Sequence, residues 1–258
     1  MLPGATTSLD SSMSQRTFTC AFACAVWPFL LAGAEEDPAN NSSALLPKEF
    51  SGNYLIARNT ISPNKKFAVI YPKFDLCVGP AEADLKNPCK DYLVAQQPFR
   101  ILCALETNWP DFEHKNHGGM TALWSKDSSV VLVTLESKWG PGDVFLYELR
   151  DGKLSRSTNL LGKISQPLQP DFRKSRADRY SNYQDFVFEQ STQSDGNDLP
   201  PFQLEGNSRI RVHLMATTDP KRVSMGRAWE GRFEGVWDIP QGKFTSHKIK
   251  RLFAGERR

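Results

Sequence analysis

The chain has 258 residues, 24% of them charged and 40% apolar, with a formal net charge of +3. So small a net charge leaves no global field that would select nucleic acid as a partner. The length suits one large β domain or two small ones. Beyond residue 34 no apolar run reaches the roughly 20 residues that a membrane-crossing helix needs, so no transmembrane segment is expected after the leader described next.

Residues 17–31, TFTCAFACAVWPFLL, are uncharged, follow Arg16, and lead into Ala32-Gly33-Ala34 and the acids Glu35, Glu36 and Asp37. A charged flank, a short apolar core and a small-residue site have the layout of a secretory signal peptide. This predicts that residues 1–34 are a signal peptide cleaved near Ala34, and that the mature chain is secreted or periplasmic. A retained anchor is the alternative. Residues 35–50 begin EEDPANNSSALLP, a polar, proline-punctuated composition expected of a flexible lead-in. Residues 51–258 are then a single β-rich domain.

In an oxidising compartment Cys77 and Cys89 are expected to form a disulfide across the short loop VGPAEADLKNP. Such a closure contributes about 3 kcal/mol in the chain-entropy picture. Cys103 is left over. Its surroundings, RILCALE, alternate as in a buried strand and assign it the role of a small hydrophobe.

Short β-branched and aromatic runs follow one another from residue 53: NYLIAR, KFAVIYP, YLVA, FRILCALE, TALW, SVVLVTLES, DVFLYEL and KLSRSTNLL, separated by turn-forming residues. In SVVLVTLES, Val130, Leu132 and Thr134 share one face and Val131, Val133 and Leu135 the other. A strand apolar on both sides belongs in the middle of a stack of sheets. The segment after Pro170, DFRKSRADRYSNYQDFVFEQ, is the best helix candidate, although FVFE could equally be a strand. SDGNDLPPF reads as loop. In RIRVHLMATT, Ile210, Val212 and Leu214 face one way and Arg209, Arg211 and His213 the other. RFEGVWDI and KFTSHKIKRLF form a hairpin with Phe233 and Trp237 on one face. Basic residues accumulate towards the end of the chain, as expected of a solvated edge strand guarded by lysine and arginine. A weak patch for anionic polymer or membrane headgroups is the functional alternative.

Two segments echo each other: Ser62-Pro63-Asn64-Lys65-Lys66-Phe67-Ala68-Val69-Ile70 and Trp124-Ser125-Lys126-Asp127-Ser128-Ser129-Val130-Val131-Leu132. Both resemble the Ser-Pro-Asp-Gly-Lys turn and following apolar strand of WD40-like repeats in TolB-type β-propellers. They depart from it at Asn64-Lys65 and Asp127-Ser128, where neither copy has the turn glycine. The strand, Asp151-Gly152-Lys153, strand hairpin extends the resemblance to about a third of the chain. It implies an all-β fold with one possible helix, built as a propeller-like stack of antiparallel sheets. About a dozen strands at four per blade make three sheets, below the usual range of about 4–8 blades. A β-sandwich is the alternative architecture.

The chain has no Gly-x-Ser-x-Gly elbow, phosphate loop, His-Glu-x-x-His or Cys-x-x-Cys. Its densest ionisable cluster is Asp111, Glu113, His114 and His117, residues of the types that supply acid–base or metal chemistry. Among the aromatic residues, Trp109 beside Pro110 and Trp229 beside Glu230 are expected to be exposed contact residues, because aromatics at loop tips stack on sugars or enter partner pockets. The reading is a non-enzymatic binding or interaction module for a protein or carbohydrate ligand, with no cofactor and no metal. The alternative is a secreted hydrolase using the Asp111–His117 loop, with His114, His117 and Asp111 around a metal.

Overall fold

A computed structural model describes residues 46–73, 90–107, 118–175, 177, 186–191, 199–221 and 228–254. All of them fall in the unit spanning Asn41–Arg258. Three antiparallel sheets carry the fold. The first runs β1 (Tyr54–Ile56), β2 (Phe67–Pro72), β3 (Tyr92–Gln96), β4 (Phe99–Ala104) in chain order. The second repeats that order with β5 (Gly119–Trp124), β6 (Val130–Ser137), β7 (Gly140–Arg150) and β8 (Lys153–Asn159). In the third, β9 (Val187–Gln190) and β10 (Phe202–Glu205) both flank β11 (Arg209–Thr217), which is followed by β12 (Trp229–Asp238) and β13 (Lys243–Ala254). β9 pairs with Leu214–Thr217 and β10 with Arg209–Val212. Together they act as one first strand broken in the middle.

The second sheet lies between the other two, for the reason legible in β6. Val131, Val133 and Leu135 join Phe145, Tyr147 and Leu149 of β7 in a core shared with Phe67, Val69 and Leu93 of the first sheet. Val130 and Leu132 turn the other way, into a core with Ile210, Val212, Leu214, Phe233 and Trp237 of the third. Burying both faces of one strand removes every one of its apolar side chains from water, at about 25 cal/mol per Å².

The helix begins earlier than the sequence placed it: residues 171–175 of the segment after Pro170 are its C-terminal end, and residues 176 and 178–185 of that segment lie outside the described residues. The main helix is α2 (Leu160–Ser175), after the four-residue α1 (Lys48–Ser51). It contains Pro167 and Pro170, which read as helix breakers because each removes a backbone donor. Asn159 caps it, its Oδ1 accepting the Gly162 amide at 2.9 Å. Leu160, Leu161, Ile164, Leu168 and Phe172 form a stripe buried in the core between the second and third sheets. Tertiary burial of that stripe outweighs the local cost of the prolines. Of FVFE, Val187, Phe188 and Glu189 are strand, in β9, and the segment read as loop ends in β10.

The echoed turns are built alike. Ser62 and Ser125 are buried. Each serine amide donates to the carbonyl five residues on, Phe67 or Val130, at 2.9 Å. Each serine hydroxyl accepts the amide of that same residue, at 3.0 and 2.9 Å, and meets the side-chain oxygen of Asn64 or Asp127 at 2.8 and 2.7 Å. That oxygen in turn accepts an amide two residues further on, from Lys66 or Ser129. Lys65 and Ser128 adopt φ of 57° and 59°, the left-handed region that glycine occupies without steric cost. A looser relative joins β11 to β12: the Thr218 amide donates to Trp229 O and Thr218 Oγ1 accepts the Trp229 amide, both at 3.0 Å. Neighbouring turns also touch. The Asn64 amide donates to Ser128 Oγ, and Asn207 Nδ2 donates to Asp127 Oδ2.

On β12 the core-facing residues alternate as Trp229, Gly231, Phe233, Gly235, Trp237, all buried. A Cβ on Gly231 would come within 2.5 Å of the Trp229 ring, and one on Gly235 within 2.8 Å of the Phe233 ring. The glycines are therefore the space over which the aromatic rings lie.

Candidate functional site

The first strands of the second and third sheets and the β1–β2 connection of the first converge on one groove. Ile61 and Pro63 come from the connection between β1 and β2, Ala122, Leu123 and Trp124 from β5, and Phe202, Gln203 and Leu204 from β10; they line a shallow, open depression of about 560 Å³. β5 pairs only with β6 and β10 only with β11 among the described strands, so two open strand edges border the groove. Trp124 is fixed in place: its indole Nε1 donates to Thr60 O at 2.8 Å and its ring stacks on Phe67 at 5.9 Å between centroids. Leu123 alternates outward and is 41% exposed, one of few large apolar side chains so placed. A partly open indole, an exposed leucine and open strand edges have the chemistry to hold an extended apolar peptide or the face of a sugar ring.

A second concentration of polar groups lies between the first and second sheets at their other end. Asp143 shares the core-facing side of β7 with Phe145 and Tyr147, and Asp91 precedes Leu93 on the facing side of β3. Both aspartates are buried. The Tyr147 hydroxyl is buried with no hydrogen bond of good geometry among the described residues, its polar neighbour being the thiol of Cys103. Burial, then the nearby Cys103, Glu106, Asp91 and Asp143, push its phenol well above the ordinary tyrosine range. Cys103 is free. Burial first and Glu106 second raise its thiol to about 11, so at neutral pH it is a protonated, weakly nucleophilic group. Burial likewise raises Glu136.

The residues singled out in the sequence divide in two. Trp109, Asp111, Glu113, His114 and His117 lie outside the described residues, as do Cys77 and Cys89. Trp229 is described, and it is not an exposed contact residue. It is fully buried, meets Phe186 edge-on at 5.2 Å, and donates from Nε1 to Asp171 Oδ2 at 2.8 Å. Partial burial works against the ionised Asp171 carboxylate. Hydrogen bonds from Arg251 and Trp229 outweigh it and hold that group below its ordinary range. An indole beside Glu230 looked exposed because alternation places Glu230 on the opposite face of the strand from Trp229. The groove residues Phe202 and Leu204 were missed inside a proline-rich stretch; the alternation in FQLE was their one local signal.

Among the described residues no group of three or more His, Cys, Asp or Glu is placed to hold a metal ion, and no helix is long and apolar enough to cross a membrane. The chain matches no protein-family model and no curated protein sequence.

Proposed function

We propose that this chain is a secreted or periplasmic binding module, non-enzymatic, whose three sheets are consecutive blades of a propeller-like stack of the WD40-like, TolB type. The observation that carries the binding role is the groove along β5 and β10, where Leu123 is exposed beside Trp124 and the edges of both strands are open. The blade assignment rests on two further features. The first two sheets repeat the same four-strand order, and the Ser62 and Ser125 turns match bond for bond. The ligand class is a protein segment or a carbohydrate, and neither nucleic acid nor a cofactor enters this reading.

The test is a peptide and glycan array probed with the wild-type chain and with Leu123→Asp. Leu123 faces the groove and lies outside the buried cores, so the substitution leaves the fold intact, as a thermal melt will verify. Ligands that bind the wild type and are lost in the variant support the groove. Ligands bound equally by both move the site elsewhere, and an array on which the wild type binds nothing removes the proposal.

A second reading is a secreted hydrolase using Asp111, Glu113, His114 and His117. Its support is the position of the described ends of that segment. The Leu105 amide donates to Asp91 O, and Met120, Leu135 and Asp143 share one cross-strand row, so the described chain on either side of that segment leads from the end of the sheets that carries the buried acids. Elemental analysis and a divalent-metal titration of wild type against His114→Ala/His117→Ala decide it. Stoichiometric metal lost in the variant favours the hydrolase, and identical metal-free proteins reject its metal-dependent form.

A further inference from the structure

β13 closes the third sheet at the edge opposite the groove. It pairs with β12 and with no other described strand, and at twelve residues it is longer than any other strand described. From Lys243 to Leu252 every side chain except Phe244 and Ile249 is exposed. Its sequence, KFTSHKIKRLFA, contains no acid and carries Lys243, Lys248, Lys250 and Arg251. Arg251 is already engaged, its Nη2 lying 2.8 Å from Asp171 Oδ1. Among the described residues Lys243, Lys248 and Lys250 make no ion pair.

On an open antiparallel edge every second residue directs its N–H and C=O away from the sheet. Lysines on such an edge keep it from pairing with a second copy of itself, because like charges placed across a strand pair repel. The same lysines make an acidic strand the complementary partner. Phe244 and Ile249 add half-buried apolar surface packed against the core, and Leu252 is 38% exposed at the far end. The occupant that satisfies all of this is extended and alternates acidic with apolar residues.

We propose that β13 is a docking edge for an acidic extended peptide, which adds to the third sheet as a further strand beyond β13. Backbone hydrogen bonds supply the pairing, and Lys243, Lys248 and Lys250 select the charge. This surface is separate from the groove along β5 and β10, so the two stand or fall independently.

The probe is a labelled peptide of alternating glutamate and valine, about ten residues long to match a long strand, titrated into the full chain by fluorescence anisotropy. The expected result is saturable binding that weakens with added salt, together with slowed amide exchange along β13. Lys248→Gln/Lys250→Gln should weaken it by roughly three- to tenfold, with an unchanged melting temperature, and Lys248→Arg/Lys250→Arg should retain it. No saturable binding overturns the proposal. So does equal binding of a lysine–valine peptide, and so does binding of polyglutamate or anionic vesicles with no protection of β13 amides, which would make the strand a diffuse anion-attracting surface.

Discussion

The turns at Ser62–Phe67 and Ser125–Val130 close with the same set of hydrogen bonds, yet the first uses the amide oxygen of Asn64 and the second the carboxylate of Asp127. In the second, the hydrogen bonds from the Ser125 hydroxyl and then the Ser129 amide lower the Asp127 carboxyl to about 2. The first has no ionisable acceptor to hold. The two also differ in their surroundings: Asp127 receives an additional bond from Asn207 of the third sheet, and Ser128 Oγ receives the Asn64 amide from the first. What the pair teaches is that the turn demands an oxygen at one point in space, and demands neither charge nor glycine. Closure from both backbone and side chain determines the conformation strongly enough that lysine and serine are held at positive φ.

The largest effect on the comparison comes from removing the shared hydroxyl. Ser62→Ala and Ser125→Ala each leave a buried amide, of Phe67 or Val130, without its acceptor, at a cost of about 1–3 kcal/mol. Denaturant midpoints should fall by similar amounts in the two variants, and a neutral result at either site would end the equivalence. Next in size is glycine at the strained position. Lys65→Gly should stabilise by up to about 1 kcal/mol by relieving the left-handed conformation, and Ser128→Gly by less, because it also removes the acceptor of the Asn64 amide. Equal gains would show that the contact between turns contributes nothing.

Acid titration separates the two turns by chemistry. Because the folded-state value of Asp127 is depressed from 3.8 to about 2, its contribution is complete above the unfolded value and is lost as pH falls through the folded one. Its exposure limits this to about 1 kcal/mol at most. Stability measured from pH 5 to pH 2 should therefore flatten in Asp127→Asn and steepen in Asn64→Asp. If the wild type and Asp127→Asn lose stability in parallel, the carboxylate is not the acid-sensitive group of the turn. The smallest change is Asn207→Ala, which touches only the second turn; it should shift stability by less than about 0.5 kcal/mol and should lessen the acid sensitivity of Asp127.

Much of this architecture is legible along the chain. Strong two-residue alternation, or unbroken β-branched runs, mark β2, β6, β11 and β12, and divide the faces of β6, β11 and β12 correctly, because a strand's side-chain period depends on the backbone alone. The repeated turn is legible for the same reason, since all but its contacts to other sheets are made within six consecutive residues. The groove was harder to see. Leu123 lies in a run that reads as an ordinary strand, and nothing local to TALW, FQLE or Ile61 announces that the three meet. Trp229 shows the converse error, an aromatic judged by its neighbour Glu230 when its environment is set by Phe186 and Asp171 from distant parts of the chain.

By itself, then, the sequence determined the all-β class, the both-faces burial of β6 and the two serine turns, each a consequence of short-range periodicity or short-range hydrogen bonding. Tertiary structure alone decided that a proline-bearing stretch would become α2, that Gly231 and Gly235 would make room for the rings of Trp229 and Phe233, and that β5, β10 and the β1–β2 connection would border one groove. Those outcomes depend on which surfaces meet across the stack. Burial free energy is a property of the area two elements share, and no single segment carries that information.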